Sequence, residues 1–173
     1  GNIDDDENDE LILINRTYNS GAIRAFDLRT GEDQLWINHG TFATWLDATD
    51  RAFLGDVNND SKKELILVNT SYSGGAIKVI NLTNGNIIGN IIYHNGSFST
   101  WMDANDKMFV RDVDGDNIDD LVLVNMSGTG NFLRAINIAT GLPIKTLTYS
   151  QLGGGLNGWI DASDKLFLGF VDS

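Results

Sequence analysis

Cysteine is absent from the chain, which excludes a disulfide framework and any thiolate metal site, though not any particular compartment. Proline occurs once, at Pro143. No stretch approaches the roughly 18 apolar residues that a membrane-spanning helix needs, so membrane insertion is not expected. Basic residues are scarce, 12 against 24 acids, and they form no stripe, which makes nucleic acid a poor partner. What is plentiful is glycine, 19 residues in 173. Many tight turns with few proline breaks suit a chain of short strands. The hydrophobic fraction of 42% is ordinary for a globular protein, and the length allows one core or part of a larger assembly.

The acidity is local. Ten of the 24 acids fall in three short loops: Asp4, Asp6 and Glu10; Asp56, Asp60 and Glu64; Asp112, Asp114, Asp116 and Asp120. The remainder nearly balances the basic residues. Clustered carboxylates repel one another unless a cation sits among them.

The loops belong to an internal repeat. Glu10, Glu64 and Asp120 are equivalent at spacings of 54 and 56, and Trp45, Trp101 and Trp159 at 56 and 58. After each acidic loop comes an apolar run: Leu11–Asn15, Leu65–Asn69, Leu121–Asn125. Gly21-Ala22-Ile23-Arg24, Gly75-Ala76-Ile77-Lys78 and Asn131-Phe132-Leu133-Arg134 follow. Each copy holds four strand-length apolar runs, in the third copy Met108–Arg111, Leu121–Asn125, Phe132–Ile138 and Ile144–Tyr149. Turns are expected at Thr30-Gly31, Asn84-Gly85 and Thr140-Gly141. The second run is apolar at successive positions, which predicts burial on both faces.

The expected fold is therefore all-β: four-stranded blades of a β-propeller, with repeats at about 1–54, 55–110 and 111–169 forming one unit over 1–173. A flat β-solenoid is the other architecture that such a repeat allows. Three blades cannot close a ring. The first copy lacks its first strand, and residues 165–169 read as a spare one. The chain also opens inside an acidic loop with no initiating Met, as a piece of a longer polypeptide would. The expected partners for closure are thus a second copy of the chain, giving a homodimer, or further blades of a longer propeller.

The third loop runs Asp112-Val113-Asp114-Gly115-Asp116-Asn117-Ile118-Asp119-Asp120. Side-chain oxygens at positions one, three, five and nine can converge as the chain turns, and the carbonyl of position seven adds another. That suits Ca²⁺, which takes six to eight oxygens. The third loop offers Asp112, Asp114, Asp116 and Asp120 with the Ile118 carbonyl. The second offers Asp56, Asn58, Asp60 and Glu64 with the Lys62 carbonyl. The first offers Asn2, Asp4, Asp6 and Glu10 with the Asn8 carbonyl. An EF-hand is excluded, because its acid at position twelve is replaced by Leu13, Leu67 or Leu123. An Asx-rich turn without metal is the simpler alternative.

This spacing, followed directly by an apolar strand and an Asn, resembles the FG-GAP or VCBS repeats of integrin-α-like β-propellers, over all three copies. The resemblance implies calcium at the residues just named, and a secreted or cell-surface adhesion or lectin module. Asn2 departs from the pattern as a neutral ligand, and Phe170 stands where a fourth loop would need an acid.

Strand connectivity puts the acidic loops and the Gly turns at one end of the strands. At the other end lie Tyr18 and Tyr72 and three long connections that close on Trp45-Leu46-Asp47, Trp101-Met102-Asp103 and Trp159-Ile160-Asp161. An aromatic plate beside a carboxylate suits a glycan, which stacks on the ring and donates hydroxyl hydrogen bonds to the acid. A Trp wedged between sheets beside a turn-capping Asp would read the same. Catalysis needs one asymmetric set of groups, whereas every carboxylate of interest here recurs per repeat. The expected role is non-catalytic: a calcium-stabilised extracellular module binding a glycan or a cell-surface glycoprotein. Its alternatives are a targeting or spacer propeller of a larger secreted enzyme or toxin and, more remotely, a glycosidase-type propeller enzyme.

Overall fold

The computed structural model describes residues 1–4, 6, 8–15, 17–18, 21–38, 50–69, 76–93, 106–126, 131–148, 151 and 165–166. Among them every regular element is a strand. The first sheet holds β1 (Glu10–Asn15), β2 (Ala22–Asp27) and β3 (Asp33–Asn38). In the second are β4 (Arg51–Gly55), β5 (Glu64–Asn69), β6 (Ala76–Ile80) and β7 (Ile87–Tyr93). The third comprises β8 (Lys107–Arg111), β9 (Asp120–Val124), β10 (Asn131–Asn137) and β11 (Pro143–Thr148). Each sheet is an antiparallel meander in chain order, and no sheet closes on itself. Within the three sheets the expected strands are present to within a residue or two of their bounds; of the spare strand expected at 165–169, residues 165–166 are not in a strand and 167–169 lie outside the described residues.

The turns between the last two strands of each sheet are alike. Asp27 Oδ1 accepts from the N–H of Thr30, Asn81 Oδ1 from Asn84 and Asn137 Oδ1 from Thr140. Gly31, Gly85 and Gly141 then donate to the carbonyls of Asp27, Asn81 and Asn137, each at 2.8 Å. Their φ angles of 74°, 77° and 72° lie in the left-handed region, where a side chain would be strained. These are the three Gly turns read from the sequence.

Two apolar seams join the sheets. In the first, Ile3, Ile23 and Ala25 meet Leu65, Leu67, Ala76, Ile80 and Leu82. In the second, Val57, Ile66, Val68, Ile77 and Val79 meet Leu121, Leu123, Ile136 and Ile138. Side chains of a strand point alternately to its two faces, so β5 sends Leu65 and Leu67 into one seam and Ile66 and Val68 into the other. Every residue of β5 and of β9 is buried, as their unbroken apolar runs require. The same expectation fails for β1. Ile12 and Ile14 face the first seam, but Leu11 and Leu13 are 44% and 47% exposed because no sheet covers that side. Arg24 lies flat on this outer face, its guanidinium carbon 4.6 Å from the Phe26 ring and 4.8 Å from the Trp36 ring, and is paired with Asp33. Its counterpart on the second sheet, Lys78, is buried in the seam, and burial holds its ammonium down to about 8.

The second and third sheets come together at Gly55, the last residue of β4. A Cβ there would stand 2.6 Å from Val110 Cγ1, 3.0 Å from Ile66 Cδ1 and 3.1 Å from Asp119 Cβ. Gly55→Ala is therefore expected to cost about 1–3 kcal/mol by overpacking. Urea unfolding should show the loss, and adding Val110→Ala in the same chain should recover part of it. Unchanged stability in Gly55→Ala would contradict this close approach.

Candidate metal centres

The three acidic loops share one hydrogen-bond pattern. The acid at position nine accepts the N–H of position two: Ile3 to Glu10 at 2.7 Å, Val57 to Glu64 at 3.1 Å, Val113 to Asp120 at 3.2 Å. Position three accepts from position five: Asp6 to Asp4 at 2.9 Å, Asp60 to Asn58 at 3.0 Å, Asp116 to Asp114 at 3.3 Å. Position five accepts from position seven: Asn8 to Asp6, Lys62 to Asp60 and Ile118 to Asp116, at 2.8–2.9 Å. These are successive Asx turns, in which each side chain uses one oxygen to hold the backbone two residues ahead. In the second and third loops positions four and six are left-handed: Asn59 and Ser61 at φ 60° and 68°, Gly115 and Asn117 at 85° and 66°. That conformation aims their N–H groups at the carboxylates of Asp56 and Asp112. Asn2 accepts from Asp4 N–H at 3.1 Å in the first loop.

The pattern brings carboxylates together. Oxygens of Asp4, Asp6 and Glu10 lie within 4.8 Å of one another, as do those of Asp112, Asp114 and Asp116. Each of these two groups can hold a metal ion. Glu10 Oε1, of the first group, and Asp120 Oδ1, at the base of the third loop, are buried and accept no hydrogen bond. A buried acceptor without a donor costs about 1–3 kcal/mol, and more when charged. A hard cation bound by oxygen ligands would supply what these atoms lack. The second loop differs. The Asn58 amide donates to Asp60 Oδ2 at 3.0 Å and to Glu64 Oε1 at 3.4 Å, which places a neutral donor between two acids.

Electrostatics agree with the geometry. Burial, with the nearby Asp4 and Asp6 charges, raises Glu10 above the ordinary glutamate range. Burial raises Glu64 to about 7, helped by Asp60 and Asp56, and Asp120 to about 6, helped by Asp114, Asp116 and Asp112. Asp6 and Asp112 move the other way, held low by hydrogen bonds from Asn8 and from the Gly115 N–H. Asp6 and Asp112 in the first and third loops are thus held toward the ionised form, while the buried acid at the base of each loop resists ionisation.

Successive loops are also linked to one another. Lys63 N–H donates to the Asn2 carbonyl at 2.7 Å and Asp119 N–H to the Asp56 carbonyl at 2.6 Å. Asp119 accepts from the N–H groups of Asp56 and Asp112 and from Lys63 Nζ at 3.0 Å. This staple was not read from the sequence. Its trace was there, in the charged residue at position eight of every loop: Asp9, Lys63, Asp119.

Tyr18 lies beyond the far end of β1, about 17 Å from Glu10 along a six-residue strand. It is exposed, its ring 6.3 Å from that of Trp36, at the lip of a groove of about 300 Å³ shared with Leu13, Asn15, Ala22 and Arg24. Tyr72, Trp45, Asp47, Trp101, Asp103, Trp159 and Asp161 lie outside the described residues. Of the long connections, which run over 39–50, 94–106 and 150–164, the structure describes Gln151 and the last residues of the first two, Asp50 and Asp106, both buried, and Asp106 accepts the Met126 N–H at 3.3 Å. That acid caps backbone. No family model matches the chain, and no curated protein matches it.

Two outcomes follow from the loops. An acid whose folded pKa is raised holds its proton more tightly when folded, so its cost to stability is absent below the unfolded value and complete above the folded one. For Glu64 and Asp120 that window runs from about pH 4 to 7, below the range in which the contribution of Lys78 changes with pH. The metal-free melting temperature should fall across the window as pH rises, and saturating divalent cation should flatten the decline. A metal-free profile that rises from pH 5 to 7 would contradict this assignment. In cation, Asp114→Ala should lower the melting temperature more than Asp4→Ala, because the third loop has four carboxylates and the first has three. Equal losses would mean that the loops do not differ in ion affinity.

Proposed function

We propose that the chain is a calcium-stabilised β-propeller unit of the FG-GAP/VCBS type, acting as a non-catalytic extracellular recognition module for a glycan or a cell-surface glycoprotein. The observation that carries the calcium reading is the pair of buried, unsatisfied oxygens, Glu10 Oε1 and Asp120 Oδ1, each beside a converging acid loop. Calcium suits this donor set, all oxygen and flexible in number, better than softer ions that favour His or Cys. The propeller reading draws support from three consecutive meanders stacked face to face, with β4 and β8 approaching at Gly55. Recognition is assigned to the opposite ends of the strands, where Tyr18 is exposed and where the Trp-x-Asp segments recur in the sequence. In this arrangement the ions stiffen one end of each sheet seam and leave the other end free for contact.

Titration calorimetry with calcium chloride tests the metal, and a glycan array probed in calcium and in EDTA tests the ligand. Expected are calcium binding, and calcium-dependent retention on a subset of glycans that weakens in Tyr72→Ala while its melt is unchanged. Absence of calcium binding would overturn the metal reading. Calcium binding with no glycan retained would overturn the lectin role and leave the targeting or spacer role in its place.

A further inference from the structure

We infer that Asp119 is a positioning residue through which a cation at the third loop tightens the seam between the second and third sheets, making that loop a cation-operated clamp. The inference rests on the metal reading above and adds to it what the ion acts upon. Asp119 Oδ1 accepts the N–H of Asp112, position one of its own loop, at 2.9 Å. Its Oδ2 accepts the N–H of Asp56, position one of the preceding loop, at 2.8 Å, and the Lys63 ammonium at 3.0 Å. The Asp119 N–H donates in turn to the Asp56 carbonyl at 2.6 Å. One side chain thus grips the first residue of two successive loops. It does so as a carboxylate, whose hydrogen bonds are stronger than those of a neutral acceptor.

The grip is tied to the ion both along the chain and through space. Asp112, Asp114 and Asp116 bring oxygens within 4.8 Å of one another. Asp120, the next residue after Asp119, is fully buried, and its Oδ1 accepts no hydrogen bond. A cation drawing on these oxygens fixes the two residues that hold Asp119 in place: Asp112, whose N–H it accepts, and Asp120, its chain neighbour. An Asp119 already ordered gives up less conformational freedom in holding Asp56, so ion binding and the seam support each other. Packing sets the same residue at the seam. Asp119 Cβ lies 3.1 Å from where a Cβ on Gly55 would stand, at the end of β4 and directly before Asp56. The first seam is built differently. Its backbone link recurs, from Lys63 N–H to the Asn2 carbonyl at 2.7 Å, but position eight is there a lysine. An ammonium accepts nothing, and this one turns to Asp119 instead, so no carboxylate at that position grips the first and second loops together.

Hydrogen exchange of the Asp56 amide, followed by NMR in calcium chloride and in EDTA, reads the clamp. Calcium should slow that exchange about tenfold, the size of an ordinary coupling between sites. Asp114→Ala removes an exposed acid of the third loop and should abolish the response, while Asp4→Ala, in the first loop, should leave it intact. Asp119→Asn should still bind calcium by calorimetry, with the Asp56 response gone and, by reciprocity, third-loop affinity about tenfold weaker. A response that survives in Asp114→Ala would overturn the inference, since the second loop would then answer to an ion of its own. Survival in Asp119→Asn would overturn it as well. So would failure of that variant to fold in calcium, because Asp119 would then hold the sheets together whatever the ion does. Calcium binding with Asp56 exchange unchanged would sink the clamp alone, whereas no calcium binding would sink the metal reading with it.

Discussion

The structure depends on sheet-on-sheet burial of a strand that is apolar on both faces. β5 and β9 have no polar side to offer water, so each needs apolar cover on both faces, which for β5 is a sheet on either side. Everything else is arranged around that requirement. The meanders follow one another without crossing, the first strand of the second sheet is kept slim enough at Gly55 for close approach to the third, and apolar residues of the loops and turns plug one end of each seam. The cost of the arrangement falls on its margins, where Leu11, Leu13 and Leu28 keep the chemistry of buried residues without the cover.

The acidic loops are placed by the same packing. Position two of each loop is apolar, a buried plug at Ile3 and Val57 but exposed at Val113, and its N–H is held by the acid at position nine, which is the buried first residue of the following strand. Driving the strand into the core therefore drags a carboxylate to the base of the loop and strips its water. The carboxylates at the rim are drawn inward by Asx turns. The raised pKa values of Glu64 and Asp120 express this conflict between hydrophobic burial and charge, and a bound cation is the simplest resolution. Asn58 is a second resolution, in which an amide does part of the work of an ion.

Asp119 shows how the loops communicate. Its two oxygens hold backbone N–H groups on adjacent loops and a lysine from the neighbouring sheet. An ion at the third loop would act on the same short stretch of backbone that fastens the second sheet to the third. Metal occupancy and seam integrity would thereby be coupled through ordinary hydrogen bonds.

Read alone, the sequence determined the strands, the Gly turns and the grouping of oxygen donors, because all three are local. Strand-length apolar runs, a left-handed glycine after an Asx residue and acids at alternate loop positions leave their mark within a few residues. What the sequence left open is whatever depends on neighbours distant along the chain. Leu11 and Leu65 are the same residue in the same repeat position, yet one is exposed and one buried, since only the stacking of sheets decides which face is covered. Likewise Asp56, Asp60 and Glu64 read as equivalent to the acids of the other loops. Only the folded loop shows the Asn58 amide standing between Asp60 and Glu64, and only the assembled sheets bring Asp119 to Lys63.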